Sequence, residues 1–208
     1  MKSLLPLLAS MALLSVPGAE AASYSVVVNT TPLASSAGFL AFDLLAGSAG
    51  ASNDIVVSAF ATSGSLGSGS AAGSVTGNLV PGPLRLSSAT SFFNEWVQGI
   101  TFGAQIRFEF SLTQSLGGGI PDNFSFYLLN ASQVPLATSD PLGANAAFSV
   151  NLDSSALPQA YLSSFFTITV LPLAVIPEPP ALWLMALGLV AAISSRRVVA
   201  ARALAAGY

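Results

Sequence analysis

Between residues 101 and 112 the chain reads TFGAQIRFEFSL, and apolar residues recur at every second position. Phe102, Ala104, Ile106, Phe108, Phe110 and Leu112 fall on one side of an extended backbone. Thr101, Gly103, Gln105, Arg107, Glu109 and Ser111 fall on the other. A period of two is the mark of a β-strand, whose successive side chains point to opposite faces. One face is expected in a core and the other in water, with Arg107 and Glu109 as a charge-balanced pair on the wet side. Further strands are expected at residues 24–30, 39–45, 55–62, 75–80, 123–130, 146–152 and 165–171. They are rich in Val, Phe, Thr and Ile, which suit a pleated, half-buried surface. Turn clusters such as Gly117-Gly118-Gly119, Pro121-Asp122-Asn123 and Asp140-Pro141-Leu142-Gly143 separate some of them. About eight short strands predict an all-β body over residues 22–171, a β-sandwich or jelly roll. The stretch 61–77, ATSGSLGSGSAAGSVTG, offers a core almost nothing and is expected to be a flexible surface loop.

Both ends of the chain break this pattern. At the start, Met1-Lys2 precedes an apolar stretch that runs to Val16 and stops at Pro17-Gly18. Ala19 and Ala21 then supply the small residues that a signal-peptidase cleft requires at −3 and −1. Residues 1–21 are therefore expected to be a signal peptide, cut after Ala21. Near the other end an unbroken apolar run covers residues 181–193, or 181–195 with Ser194 and Ser195. At 1.5 Å per residue it spans roughly 20–22 Å, short of the ~30 Å hydrocarbon core of a bilayer. Length alone also suits a buried core helix. However, the run is apolar on every side, ends on Arg196-Arg197 and lies close to the last residue. In an exported chain such a run stops in the membrane, with the arginines held in the cytoplasm. The expected order is a linker at 172–180, a single transmembrane helix at 181–195 and a basic cytoplasmic tail at 196–208. Pro177-Glu178-Pro179 then sits on the outer side. Proline fixes φ and has no N–H to donate, so this motif stays extended and accessible.

Composition narrows the function. Only 7% of the residues are charged and 52% are hydrophobic, and there is no cysteine and no histidine. Disulfides, thiolate metal sites and the commonest general base are thereby excluded. Of the six basic residues only Arg85 and Arg107 lie between the two ends, too few to hold a phosphate backbone, so no nucleic-acid partner is expected. No cofactor is expected either. The body's carboxylates are Asp43, Asp54, Glu95, Glu109, Asp122, Asp140 and Asp153. A glycoside hydrolase needs two such groups ~5–9 Å apart across a cleft, and no local motif marks a pair. Asp122, Asp140 and Asp153 lie in or beside turns, which they are expected to order by hydrogen bonding to nearby backbone. A non-enzymatic body follows. Were it to bind a glycan, the sugar face would stack on an exposed ring, and Trp96, Phe92 and Phe93 in SSATSFFNEWVQG are the candidates. The alternative is that these rings simply close one end of the sandwich.

The segment VIPEPPALWLMALGLVAAISSRR, residues 175–197, resembles a PEP-CTERM sorting signal. Pro177, Glu178 and Pro179, the apolar span and the pair Arg196-Arg197 carry the resemblance. It implies a transient partner, an exosortase, which is an integral-membrane cysteine transpeptidase of Gram-negative bacteria that make exopolysaccharide. On this resemblance the chain is exported, cut at its N-terminus by signal peptidase and briefly anchored in the inner membrane. It is then processed near the motif and placed at the cell surface or outside, in an exopolysaccharide or biofilm setting. The tail VVAARALAAGY beyond the arginines is longer than is usual for such signals, and a permanently anchored surface protein is the alternative this departure keeps open. Within the body, TSFFNEWVQGITFG, FSFYLLN and PLATSDPLGANAAFSVNL resemble a subset of the same proteins that has no activity to carry across.

Overall fold

A computed structural model describes residues 20–48, 52–114, 119–152 and 157–173. Its strands are β1 (Glu20–Asn29), β2 (Ala37–Leu45), β3 (Asp54–Thr62), β4 (Ser65–Ala72), β5 (Val75–Gly77) and β6 (Leu84–Ser87). They continue with β7 (Phe93–Thr101), β8 (Gln105–Gln114), β9 (Asn123–Asn130), β10 (Phe148–Asn151), β11 (Gln159–Ala160) and β12 (Thr167–Pro172). One short 3-10 turn, Thr31–Leu33, is the sole helical element among the described residues. Two six-stranded sheets result, in the orders β12-β1-β8-β3-β6-β5 and β11-β10-β9-β2-β7-β4. Below they are called the first and the second sheet. Every pairing is antiparallel, as the all-β expectation required.

The pairings are nested: β1 lies beside β8, β2 beside β7 and β3 beside β6. A chain that folds back on itself as one long hairpin and then rolls up gives this order, the winding of a jelly roll. Strands β9 to β11 widen the second sheet on the β2 side, and β12 widens the first on the β1 side.

The core follows from the alternation. Ile106, Phe108, Phe110 and Leu112 of β8 are buried between the sheets, while Arg107 points outward and bonds Gln105. Phe108 and Phe110 from the first sheet interleave with Phe42, Phe124, Phe126 and Phe148 from the second. Their ring centroids lie 4.9 to 6.4 Å apart, within the usual range for edge and offset contacts.

Three expectations are corrected. The body holds twelve described strands rather than about eight. The residues 101–112 belong to two strands, since β7 ends at Thr101 and β8 begins at Gln105. Strand β7 itself escapes a reading by alternation because its inward positions include Asn94 and Gln98, both buried polar side chains. Lastly, the Gly/Ser/Ala stretch 61–77 is not a loop, because most of it forms β4 and β5. At Gly69 the missing side chain is explained by a neighbour: a Cβ there would lie 2.2 Å from the ring of Trp96. The indole occupies that space, so a side chain at residue 69 would displace it.

The body continues to Leu173, whose N–H donates to the Ser23 carbonyl at 2.8 Å, so the first residues of the expected linker belong to the sandwich. Strand β1 begins at Glu20, and Ala21 stands opposite Thr113. A cut after Ala21 leaves Ala22, opposite Leu112, as the first paired residue of the strand. Ala19, the rest of the expected signal peptide, the span 181–195 and the tail 196–208 lie outside the described residues, as do Pro177, Glu178, Pro179, Arg196 and Arg197.

Candidate functional site

The outer face of the second sheet carries the features that the core does not explain. In β2 the inward positions are Leu40, Phe42 and Leu44, which leaves Phe39, Ala41, Asp43 and Leu45 facing outward. The register sets Glu95 of β7 and Ser125 of β9 on either side of Asp43. Of the seven carboxylates named from the sequence, Asp43 and Glu95 are the two that the described pairings set directly opposite each other. Burial, with the Glu95 carboxylate beside it as the second cause, pushes Asp43 up to about 7. Burial also raises Glu95. One Asp43 oxygen, Oδ1, is buried without a hydrogen-bond partner. The cations of the described body sit on the first sheet, where Arg85 pairs with Asp54 at 3.0 Å and Arg107 bonds Gln105. The pair therefore has no counter-charge on its own sheet and is expected to hold a proton at neutral pH. The two groups stand side by side on one sheet face, not across a cleft, so they do not form the arrangement that glycoside hydrolysis needs.

About four residues along β2 and β7 from this pair, or ~13 Å, the same face opens into a groove of about 330 Å³. Phe39, Leu66 and Ala131 supply its apolar lining, and Ser65, Ser68 and Thr101 its hydroxyls. Beneath it β4 breaks register with β7 between Leu66 and Gly69. Gln98 holds this irregularity from below, its side-chain N–H donating to the Gly67 carbonyl at 2.7 Å and to the Gly99 carbonyl at 3.3 Å. The Gln98 side chain is buried, so the bend in β4 is fixed from inside the sandwich.

The expected glycan contacts do not stay together. Trp96 is buried at 7% exposure, its ring spent on Gly69 and the core. It points inward opposite Phe42, and its indole nitrogen is buried without a partner, so it offers no face to a sugar. Phe92 and Phe93 are 70% and 41% exposed, at the end of the sandwich where the Phe92 carbonyl accepts from Ala46. The groove was missed in the sequence because it is built from a register shift and from glycines, which leave no hydrophobic pattern.

Of the turn aspartates Asp140 orders its own turn as expected, whereas the Asp122 side chain binds segments distant in sequence instead of its nearby backbone. Asp140 Oδ1 accepts from the Leu142 N–H at 3.0 Å and Oδ2 from the Ala146 N–H at 3.2 Å. Asp122 gathers three loops: the Gly47 N–H and the Asn53 side-chain amide donate at 2.6 and 3.0 Å, and the Ser88 hydroxyl at 2.5 Å. Asp153 lies outside the described residues.

No curated protein and no solved structure matches the chain. One family model does, the PEP-CTERM protein-sorting motif, over residues 175–198. It takes in Pro177-Glu178-Pro179, the apolar run and Arg196-Arg197, and begins two residues after the last described residue of the sandwich. Such a signal implies export, an exosortase partner and processing at the membrane. The protein is thus a β-sandwich whose C-terminal region carries a PEP-CTERM sorting motif.

Proposed function

We propose that this protein is a non-enzymatic surface or matrix protein, delivered by its two ends and acting through the sandwich between them. The observation that carries the reading is the sorting motif at residues 175–198, next to a body that ends at Leu173. Signal peptidase removes residues 1–21, and the span 181–195 stops in the inner membrane with Arg196 and Arg197 inside. The exosortase then cuts near Pro177-Glu178-Pro179, and the sandwich is released to the cell surface or beyond, into exopolysaccharide or biofilm. The low charge of the chain and its lack of histidine and cysteine support a body without catalysis. Mass spectrometry of the protein recovered outside the cell is expected to show neither residues 1–21 nor 196–208. Replacing Pro177, Glu178 and Pro179 together by alanine is expected to leave the full tail on protein held in the membrane fraction. An intact 196–208 tail on exported wild-type protein would overturn the sorting reading and favour a lasting anchor, as the long tail after Arg197 would suit.

A second reading, a carbohydrate-binding adhesin or lectin-like body, is supported by the exposure of Phe92 and Phe93. On this reading alone, a rival to the groove described below, the glycan-array signal disappears in the double variant Phe92→Ala, Phe93→Ala. A wild-type protein that binds no glycan on the array removes it.

A further inference from the structure

The glycines of the second sheet differ in what they are for. A Cβ on Gly69 would strike Trp96, and one on Gly38 would lie 2.4 Å from the Leu129 carbonyl oxygen. Those two positions are glycine because the fold leaves no room. Gly67 is different. A Cβ there would meet the backbone of Gly99 at 3.6 Å, ordinary van der Waals contact, and its backbone does not fall in the left-handed region. Neither space nor dihedral angle demands glycine at 67, yet glycine inside a strand costs roughly 0.5–1 kcal/mol relative to alanine. In strands it often marks a bulge, such as the register break between Leu66 and Gly69, or a place where another group approaches closely. The approach here comes from outside, since Gly67 is exposed and lines the groove.

The lining says what kind of group fits. Phe39 gives a half-buried aromatic ring, Leu66 and Ala131 add apolar surface, and Ser65, Ser68 and Thr101 bring hydroxyls that donate and accept. Neither arginine of the described body lines the groove, which removes the charged clamp that a phosphate, sulfate or uronate would require. The Asp43–Glu95 pair lies ~13 Å away along the strands, so no carboxylate reaches into it either. A neutral ligand with an apolar face and a rim of hydroxyls matches this surface, and a pyranose ring is such a ligand. The volume lies at the low end for ligand sites and takes roughly one or two rings.

We propose that the groove lined by Phe39, Gly67 and Thr101 is a binding site for a neutral glycan, with one sugar face stacked on Phe39 and its hydroxyls on Ser65, Ser68 and Thr101. Gly67 keeps the floor open, and Gln98 holds the bent strand that shapes it. The site is distinct from Phe92 and Phe93, since six residues of β7, or ~20 Å, separate Phe93 from Gly99. It does not depend on the sorting reading, which is tested by the mass of the protein.

The test is a calorimetric titration of the full chain, purified in a detergent without a sugar head group. The probes are cellohexaose, laminarihexaose, mannohexaose and, as the anionic counterpart, a hexamer of mannuronate. Binding of at least one neutral hexamer is expected, with a Kd of order 0.1–1 mM. Phe39→Ala and Gly67→Leu are each expected to weaken it at least tenfold, while the Phe92→Ala, Phe93→Ala double variant binds as wild type. Gly67→Leu adds a side chain over Gly99 without entering the core, and an unchanged far-ultraviolet spectrum and melting curve confirm its fold. Should that variant unfold, Phe39→Ala carries the decision. Three results would overturn the proposal: no neutral hexamer bound, preference for mannuronate, or binding that survives Phe39→Ala and falls in the Phe92, Phe93 variant. A fourth would be sedimentation showing that Gly67→Leu abolishes self-association instead, which would make the groove a contact between copies of this chain.

Discussion

Asp43→Asn is expected to stabilise the sandwich by roughly 2–4 kcal/mol at about pH 8 and to leave it nearly unchanged at about pH 4. The ordinary value of 3.8 for this carboxyl is raised to about 7 in the folded chain, first by burial and then by Glu95 beside it. Between those two values the unfolded chain has released a proton that the folded chain still holds. The unfolded state binds fewer protons there, so stability falls as pH rises from about 4 to about 7 and levels off above. The rise from 3.8 to about 7 corresponds to about 4 kcal/mol, and partial solvent access to the pair reduces it. Asparagine keeps the shape, has no charge to desolvate and can donate to the Glu95 carboxylate across the β2–β7 ladder. Urea unfolding of residues 22–173 at a series of pH values measures this. The wild-type midpoint should fall across the window and the variant's should stay flatter. Equal slopes for the two proteins would show that Asp43 ionises freely in the native state. Above about pH 7 the ionised pair therefore weakens this sheet face rather than strengthening it.

Asp122→Ala is expected to destabilise the body by roughly 3–5 kcal/mol, the largest loss from any single polar side chain considered. The carboxylate is buried at 4% exposure and draws together residue 47 after β2, residue 53 before β3 and residue 88 after β6. Its backbone carbonyl also accepts from the Leu152 N–H after β10 at 2.7 Å. Alanine retains that backbone bond but removes the carboxylate acceptor of the Gly47 N–H and of the Asn53 amide, and leaves the Ser88 hydroxyl its longer bond to the Asn53 carbonyl at 3.3 Å. An unmet buried donor costs about 1–3 kcal/mol. Asp122→Asn keeps one acceptor oxygen but turns an amide NH2 group toward donors, so an intermediate loss is expected. Chemical denaturation of the three proteins checks the order; a loss under about 1 kcal/mol for alanine would mean that water replaces the carboxylate easily. The exposed residues Phe92 and Ile120 lie on these same loops, so loosening them would also disturb the aromatic end of the sandwich.

Much of this protein was legible in its sequence, and the reason is periodicity and contiguity. The alternation in β8 placed Ile106, Phe108, Phe110 and Leu112 in the core correctly, because a half-buried strand writes its environment at every second residue. The sorting motif was legible because Pro177-Glu178-Pro179, the apolar run and Arg196-Arg197 are neighbours in the chain, and the family match falls on them. Strands β4 and β7 were not legible. In β4 residue 69 is glycine because Trp96 lies against it, a fact about a neighbouring strand. In β7 the inward Asn94 and Gln98 are polar because they tie down other backbone: Asn94 donates to the Leu44 carbonyl and Gln98 to that of Gly67.

The sequence by itself determined the C-terminal sorting motif, the all-β class and most of the core, since each depends on residues adjacent in the chain or spaced by the period of one strand. Only the tertiary structure decided that Trp96 faces inward while Phe92 and Phe93 face out, and that Asp43 meets Glu95. It alone decided that Phe39, Gly67 and Thr101 share one groove. These are pairings between strands distant in sequence, fixed by ladder register and a bend in β4. Register is set by the burial of whole faces at once, which no local run of residues records.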